Sequence, residues 1–383
     1  MSVPRVAFIT SCLLPTQVSL LNCLAGLGAV QIDVLLSSLQ REGLPERGSL
    51  RTSILENLFP RLNLSLLEGY QVSPGLVKWL TDTRYDCFLI GGYSKFWAHA
   101  ALGVAACRRT PYILYCESHN HAKRGLFKRC VKSALLAPVV RAAAAHVAVS
   151  SWAKEYLVQH GAKTVDVFVV PYLPDEPLSG TSAGPSGPST LTANGAKPPV
   201  VLWVGRMVPA KGLDVLLEAL RMLPAGVEWK LVLVGEGGER RRLEFLARDY
   251  GLKQQVAFMG PATRQQLSLF YSTADVFVFP SNEEPFGAVI PEAMAHGVPI
   301  VSTNVVGATA DFVIDGHNGF VVSPKDPHAL AAALATILSD STLRRRMGEN
   351  SRAIMGRHNV QQNATILLEA IRHGLRMQPK AVL

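Results

Sequence analysis

No stretch of this 383-residue chain runs for about 18 residues without a polar interruption, so none of it reads as a membrane-crossing helix. Cysteine is absent beyond residue 130. All six (Cys12, Cys23, Cys87, Cys107, Cys116, Cys130) precede that point, with no Cys-x-x-Cys pair. That excludes a disulfide framework and a zinc ribbon, and predicts reduced, mostly buried thiols. Residues 1–5 lead straight into an apolar strand, which is not the pattern of a signal peptide. The expected location is therefore the cytoplasm, at most peripheral on the inner face of a membrane. The sequons at Asn63 and Asn363 then read as chance matches. Aromatic residues make up only 7% of the chain and no nucleic-acid motif occurs, which argues against DNA or RNA as a partner. No Asp-x-Asp stands in a strand-end loop, so no metal is expected. Internal repeats and coiled-coil heptads are also missing.

Alternation is what the chain has in abundance. Residues 3–9, 30–36, 85–91, 112–116, 146–150 and 165–170 read as apolar strands. Between them lie helical stretches at 15–27, 94–108, 124–145 and 152–159. Strands alternating with helices of this length predict a parallel, doubly wound sheet, whose ligands bind beyond the strand C-termini. Residues 39–60, with Gly43, Pro45 and Gly48, read as a mobile loop. A Ser-, Gly- and Pro-rich stretch at 179–199 has no apolar period and reads as a flexible linker. The alternation then resumes, with strands at 200–204, 231–235, 256–260, 274–281 and 298–302 and a loop at 307–311. The final strand is 320–322, followed by helices at 327–338, 343–357 and 361–376. With 48% hydrophobic residues, two domains with cores of their own are expected. The domains predicted are 1–178, 200–358 and a terminal helix at 359–383.

Residues 282–297 form the densest cluster of chemistry, an acidic turn and a short helix set between the strands 274–281 and 298–302. Glu284 and Glu292 stand eight apart, with Phe286, Gly287 and Ala288 between them. Gly287 lets the backbone approach a ligand closely, and Pro291 falls in the first helical turn, where its missing N–H is tolerated. Gly297 sits where a helix ends. A helix N-terminus in such a loop favours phosphate. Earlier, Gly205 and Arg206 close one strand and Lys211 and Gly212 open a helix. Two cations at that junction suit a diphosphate. Gly235 ends the next strand in a Gly-rich turn, and Met259 ends the one after it, where backbone atoms can meet a base edge. In the first half, Cys116 is followed by Glu117, Ser118, His119, Asn120 and His121 at a ligand-facing strand end.

The Glu284–Glu292 frame resembles the signature of retaining glycosyltransferase family 4, and the Arg206–Lys211 pair resembles that family's diphosphate-binding pair. The likeness is strongest over residues 200–340 and only architectural over 1–180. It implies the GT-B fold: α/β, two facing Rossmann-like doubly wound domains with a C-terminal crossover helix. It also implies a UDP- or GDP-sugar donor held mainly by the second domain and an acceptor hydroxyl held by the first, on a lipid-linked or polysaccharide precursor. Arg206 and Lys211 would stabilise the departing diphosphate, Glu284 the sugar, Glu292 the ribose. His119 would contact the donor sugar, with Glu117 and His121 beside the acceptor. No cofactor is implied beyond the nucleotide sugar as co-substrate. A nucleotide-sugar hydrolase or epimerase of the same fold is the alternative enzyme. A non-catalytic membrane-associated scaffold is the alternative without chemistry, although it has no need of all four of Arg206, Lys211, Glu284 and Glu292.

Charge adds one further expectation. Lys and Arg number 38 against 29 Asp and Glu, a formal +9. Between Glu117 and Glu155 there is no acid at all, while Lys123, Arg124, Lys128, Arg129, Lys132 and Arg141 accumulate among apolar residues. A basic amphipathic helix of this kind suits an anionic membrane surface; an ordinary solvated face has the same composition.

Overall fold

The computed structural model describes residues 3–11, 13–36, 51–54, 74–93, 95–120, 126–174 and 197–377. They form two compact units, Met1–Tyr172 with Val360–Leu383, and Leu173–Asn359. The expected linker lies largely outside the described residues, as do His121, Lys123 and Arg124.

In the first unit the order is β1 (Arg5–Thr10), α1 (Pro15–Gly26), β2 (Gln31–Leu36), β3 (Arg51–Ile54), α2 (Pro74–Asp82), β4 (Cys87–Gly91), α3 (Phe96–Arg108), β5 (Tyr112–Cys116), α4 (Leu126–Ala142), β6 (Ala145–Ala148), α5 (Ser151–Gln159) and β7 (Val167–Val169). The strands make one parallel sheet ordered β3-β2-β1-β4-β5-β6-β7. Its central strand is covered on both faces: Val6, Ala7, Phe8 and Ile9 are all buried. That is why parallel strands read as continuous apolar runs. Phe8 pairs in register with Val34 on one side and Leu89 on the other, so chain order reverses between β1 and β4.

The second unit repeats the plan with β8 (Val200–Val204), α6 (Leu213–Arg221), β9 (Lys230–Val234), α7 (Arg240–Asp249), β10 (Val256–Gly260), α8 (Arg264–Thr273), β11 (Val276–Phe279), α9 (Val289–Ala295), β12 (Ile300–Thr303), α10 (Gly307–Phe312), β13 (Gly319–Val322), α11 (Pro327–Ser339) and α12 (Ser341–Met355). Its parallel sheet is ordered β10-β9-β8-β11-β12-β13. Leu202 of β8 pairs with Val232 and with Phe277, so the order reverses between β8 and β11. Ligands of doubly wound sheets bind in the crevice beyond such a reversal.

The last helix, α13 (Val360–Arg376), belongs to the first unit. Ala364, Leu367, Leu368 and Ile371 repeat at helical spacing, are buried, and pack on α1 and on β5, β6 and β7. Asn363 is buried there and donates to the Pro171 carbonyl at 2.7 Å, a placement that leaves no room for a glycan.

Two expectations need correction. Residues 51–54, expected within a mobile loop, pair with β2 as an edge strand; the flanking residues 39–50 and 55–60 lie outside the described set. Residues 307–311, expected as a loop, are the helix α10. Its start is fixed by tertiary bonds, Gly307 N–H to the Glu284 carbonyl at 3.3 Å and Ala308 N–H to that of Phe286 at 2.7 Å. Among the described thiols the expected burial holds for Cys87 and Cys116, while Cys23 is half-buried and Cys107 is exposed.

Candidate active site

The loop after β8 and the loop after β11 emerge side by side at the reversal in the second sheet, and backbone contacts join them. Asn282 N–H donates to the Ala210 carbonyl at 2.8 Å, and its side-chain amide donates to Pro209 at 3.2 Å. Gly212 has φ +64°, and a Cβ there would overlap the Pro280 carbonyl oxygen. Glycine is therefore required for the two loops to close up. The carbonyls of the second loop are held from below: Ser302 donates to Phe279 at 3.0 Å, and Thr303 to Ser281 at 2.6 Å.

This closure brings Lys211 and Glu284 together as an ion pair, each side chain about one-sixth exposed. The Lys211 ammonium also lies 5.2 Å from the centre of the Phe279 ring, close enough for a cation–π attraction. The second Glu284 oxygen is 3.5 Å from the Phe286 N–H. Gly287 has φ +89°, with Val306, Glu284 and Phe279 packed around the place of a side chain; this turn tolerates little else. Phe286 is buried under it. Arg206 differs from Lys211: it is exposed, and among the described residues no group pairs with its guanidinium. Ser281 Oγ and Asn282 Oδ1 are buried and make no hydrogen bond among the described residues.

Ala288 caps α9, and Glu292 lies in its first turn. The helix is short, so cationic side chains, more than its dipole, make this loop attractive to phosphate. It ends as expected at Gly297, with Val298 N–H bonded to Ala293 O at 3.1 Å and Gly297 N–H to Met294 O at 2.9 Å. That is the Schellman pattern. Glu292 Oε2 accepts from the Tyr271 hydroxyl at 2.8 Å. Tyr271 and its neighbours were not singled out by sequence, because a Tyr near the end of α8 has the signature of core.

The remaining second-unit candidates sit on the neighbouring strand ends. Gly205 N–H bonds to Val234 O at 3.0 Å and Gly235 N–H to Gly260 O at 2.7 Å. Met259 is exposed beside them on the edge strand β10. Arg240 borders this corner, donating to Phe258 O at 3.2 Å while paired with Glu236 and Glu244.

In the first unit, Glu117 and His119 follow β5. Glu117 accepts a hydrogen bond from the Tyr172 hydroxyl, which in turn receives one from the Gln17 amide at 3.2 Å. Burial, reinforced by Tyr115 and Glu117, holds the Tyr172 phenol well above its ordinary range. His119 is buried with its ring 5.8 Å from Trp152, and Ser118 accepts from Tyr93 at 2.8 Å. The polar groups flanking β5 are thus tied to α1, α5 and the segment after β7. His121 lies outside the described residues.

Comparison with known proteins gives a consistent result. Residues 16–172 match the family model described as a glycosyl transferase 4-like domain, and residues 192–354 that of glycosyl transferases group 1. A D-inositol 3-phosphate glycosyltransferase of Xylanimonas cellulosilytica is 32% identical over 316 residues, 75% of this chain and 72% of that protein. The lipopolysaccharide core biosynthesis glycosyltransferase LpsE of Rhizobium meliloti is 40% identical over 154 residues, 40% of this chain and 44% of that one. Among solved structures, Anabaena Alr3699/HepE in complex with UDP and glucose superposes with TM-score 0.73 at 21% identity, covering 96% of this chain and 99% of that one. Sucrose-phosphate synthase from Thermosynechococcus elongatus gives 0.76 at 24% identity, covering 96% and 98%. At these identities the solved structures speak for the fold alone.

Proposed function

We propose, because this chain belongs to the glycosyltransferases of family 4 with the GT-B fold, that it moves a sugar from a UDP- or GDP-sugar to an acceptor hydroxyl with retention at the anomeric carbon. The observation that carries the reading is the Lys211–Glu284 pair at the reversal of the second sheet, with the exposed Arg206 in the same loop after β8. Two cations and a carboxylate gathered there suit a sugar diphosphate better than a neutral metabolite. Arg206 and Lys211 hold the diphosphate and stabilise the charge that grows on it as the sugar–oxygen bond breaks. Glu284, freed from Lys211 when phosphate takes its place, accepts from sugar hydroxyls and faces the developing positive charge at the anomeric carbon. Glu292 accepts from the ribose diol, and Gly205, Gly235, Met259, Phe286, Gly287 and Ala288 line the donor. By the family resemblance alone, His119 is assigned to the sugar and Glu117 and His121 to the acceptor. Attack and departure take place on one face, with a departing phosphate oxygen taking the acceptor's proton, so no glycosidase-type carboxylate pair is required.

A neighbour of the same fold, HepE, is described with UDP and glucose, which makes UDP-sugars the first donors to try. A panel of nucleotide sugars tests the reading. The true donor should raise the melting temperature, because it binds only the folded state, and transfer with acceptor should yield the donor's own anomer. Sugar released equally with and without acceptor, or an inverted product, would refute it. Activity should persist in excess EDTA, since no metal takes part; loss restored by Mg²⁺ or Mn²⁺ would overturn that element.

The acceptor is proposed to be lipid-linked, with α4 and the residues before it resting on an anionic surface. Among the described residues no helix is long and apolar enough to cross a membrane, whereas Leu135 on α4 is 72% exposed. Attraction of about 1 kcal/mol per cation near the surface should sediment the protein with anionic vesicles at low salt and release it as salt rises. Replacing Lys123, Arg124, Lys128 and Arg129 by Ser should abolish this while sparing donor binding. A wild type that ignores such vesicles points to a soluble acceptor.

A further inference from the structure

Between β11 and the acidic turn the chain leaves its sheet, and hydroxyls of β12 take over where backbone pairing stops. The last ladder partner of β11 is Phe279, opposite Ser302, and Pro280 has no N–H with which to continue. Three successive carbonyls then alternate. Those of Phe279 and Ser281 accept from Ser302 at 3.0 Å and Thr303 at 2.6 Å, while that of Pro280 lies against Gly212. Ser302 in turn accepts from Thr309 of α10 at 2.8 Å. Ser281, Ser302, Thr303 and Thr309 are all buried.

Thr303 reaches further than Ser302, because the peptide it holds is bonded at both ends. The Ser281 carbonyl and the Asn282 N–H belong to one planar unit. The carbonyl accepts from Thr303, and the N–H donates to the Ala210 carbonyl at 2.8 Å. That carbonyl shares its own peptide unit with the Lys211 N–H, which donates to Val208 O at 3.0 Å. A file of hydrogen bonds thus runs from the Thr303 hydroxyl through residues 281–282 to the backbone of Lys211, and bonds in such a file reinforce one another. The residues just after Thr303 fix the other member of the ion pair. Glu284 N–H donates to Val305 O and Gly307 N–H to Glu284 O, both at 3.3 Å. The end of β12 therefore sets the backbone of Lys211 on one side and that of Glu284 on the other.

We propose that Thr303 is a positioning residue for diphosphate recognition: its hydroxyl aligns the Lys211 peptide, and through it the ammonium, with the terminal phosphate of the donor's nucleoside diphosphate. This rests on the role given to Lys211 above. A lysine is a point charge on a flexible stem, so its aim depends on where its backbone stands. A shift of about 1 Å in such a contact is costly, although no charge has been lost.

The test is calorimetric titration with UDP and UMP, or with GDP and GMP if the wild type binds the guanine nucleotides. The ratio of the two affinities reads the terminal phosphate. Both ligands are read on one preparation, so partial unfolding lowers stoichiometry and not the ratio. The wild type should prefer the diphosphate by roughly 10–100-fold. Thr303→Val keeps the branched shape and removes the hydroxyl; the preference should shrink about 3–10-fold with monophosphate binding unchanged. Thr303→Ser keeps the hydroxyl and should keep the ratio. In a Lys211→Ala background, Thr303→Val should change nothing more. Thr303→Cys, with a weak donor in place of the hydroxyl, is read the same way if the Val variant does not fold. An unchanged ratio beside a lowered urea midpoint makes Thr303 a residue of the fold alone and overturns the inference. So does an equal loss in Thr303→Ser, or a loss that persists without Lys211. If Lys211→Ala keeps the wild-type ratio, or the wild type binds neither diphosphate, the role of Lys211 has itself failed, and the inference falls with it.

Discussion

Lys211 and Arg206 lie five residues apart and share a proposed ligand, but they differ in what each already touches. Arg206 is exposed and without a side-chain partner among the described residues, so Arg206→Ala should cut turnover by roughly 10²–10³-fold and leave the urea midpoint unchanged. Lys211→Ala should lose as much activity and also strand the half-buried Glu284 carboxylate, costing about 1–3 kcal/mol of stability. Equal midpoints for the two variants would show that the Lys211–Glu284 pair contributes nothing to the fold. Glu284→Gln releases Lys211 for phosphate, so binding of the free nucleoside diphosphate should hold or tighten while transfer falls. Glu292→Gln should weaken that binding, and titrations that cannot tell the two variants apart refute the division of labour. The placement of these four side chains was legible in the sequence, because Arg206, Lys211 and Glu284 stand in loops beyond strand ends and Glu292 in the first turn of α9. The contacts of Tyr271 and His296 were not, since they depend on α8 lying beside α9.

Elements were legible in proportion to how far their own residues fix them. Central strands such as β5 and β8 are covered on both faces and read as apolar runs with correct ends. The edge strand β3 is Arg-Thr-Ser-Ile with one neighbour, and nothing in that composition separates it from a loop. The helix α10 was missed because its first turn is set by the carbonyls of Glu284 and Phe286, far away in sequence. The same dependence makes the acidic turn fragile: Gly287→Ala should cost about 1–2 kcal/mol for its left-handed backbone and disturb Glu284, lowering activity more than stability. The seam around α9 also carries a pH dependence. Burial lowers both His296 and His358 below the ordinary imidazole value. Between that value, about 6.5, and the lower folded one, the unfolded chain binds protons that the native state refuses. Stability is therefore complete above about pH 6.5 and declines as pH falls through the window. Urea midpoints taken from pH 7.5 to 5.5 should drop, and His296→Gln should flatten the curve; a midpoint that rises on acidification would contradict the assignment.

At the scale of the whole molecule, the chain crosses into a second unit and then returns its last helix to the first. That return is a stability statement as well as a topological one. Leu367, Leu368 and Ile371 of α13 are buried on the first unit, and burying side chains of this size contributes about 1.5–3 kcal/mol each. The bonds from Asn363 to the Pro171 carbonyl and between His373 and Asp166, 2.7 and 3.0 Å, add to this. Three such side chains come to roughly 5–9 kcal/mol, against a total of about 5–15 for a typical domain. A chain ending at Asn359 should accordingly lose the native state of its first unit and keep that of its second. Hydrogen exchange read by mass spectrometry should show β1, β4 and β5 unprotected and β8, β9 and β11 protected. Because the proposed donor residues lie in the second unit, the truncated chain should still bind the nucleoside diphosphate while transferring no sugar. Loss of protection in both sheets would mean that the two units fold as one cooperative body, and full protection in both would mean that α13 adds far less than its buried area implies.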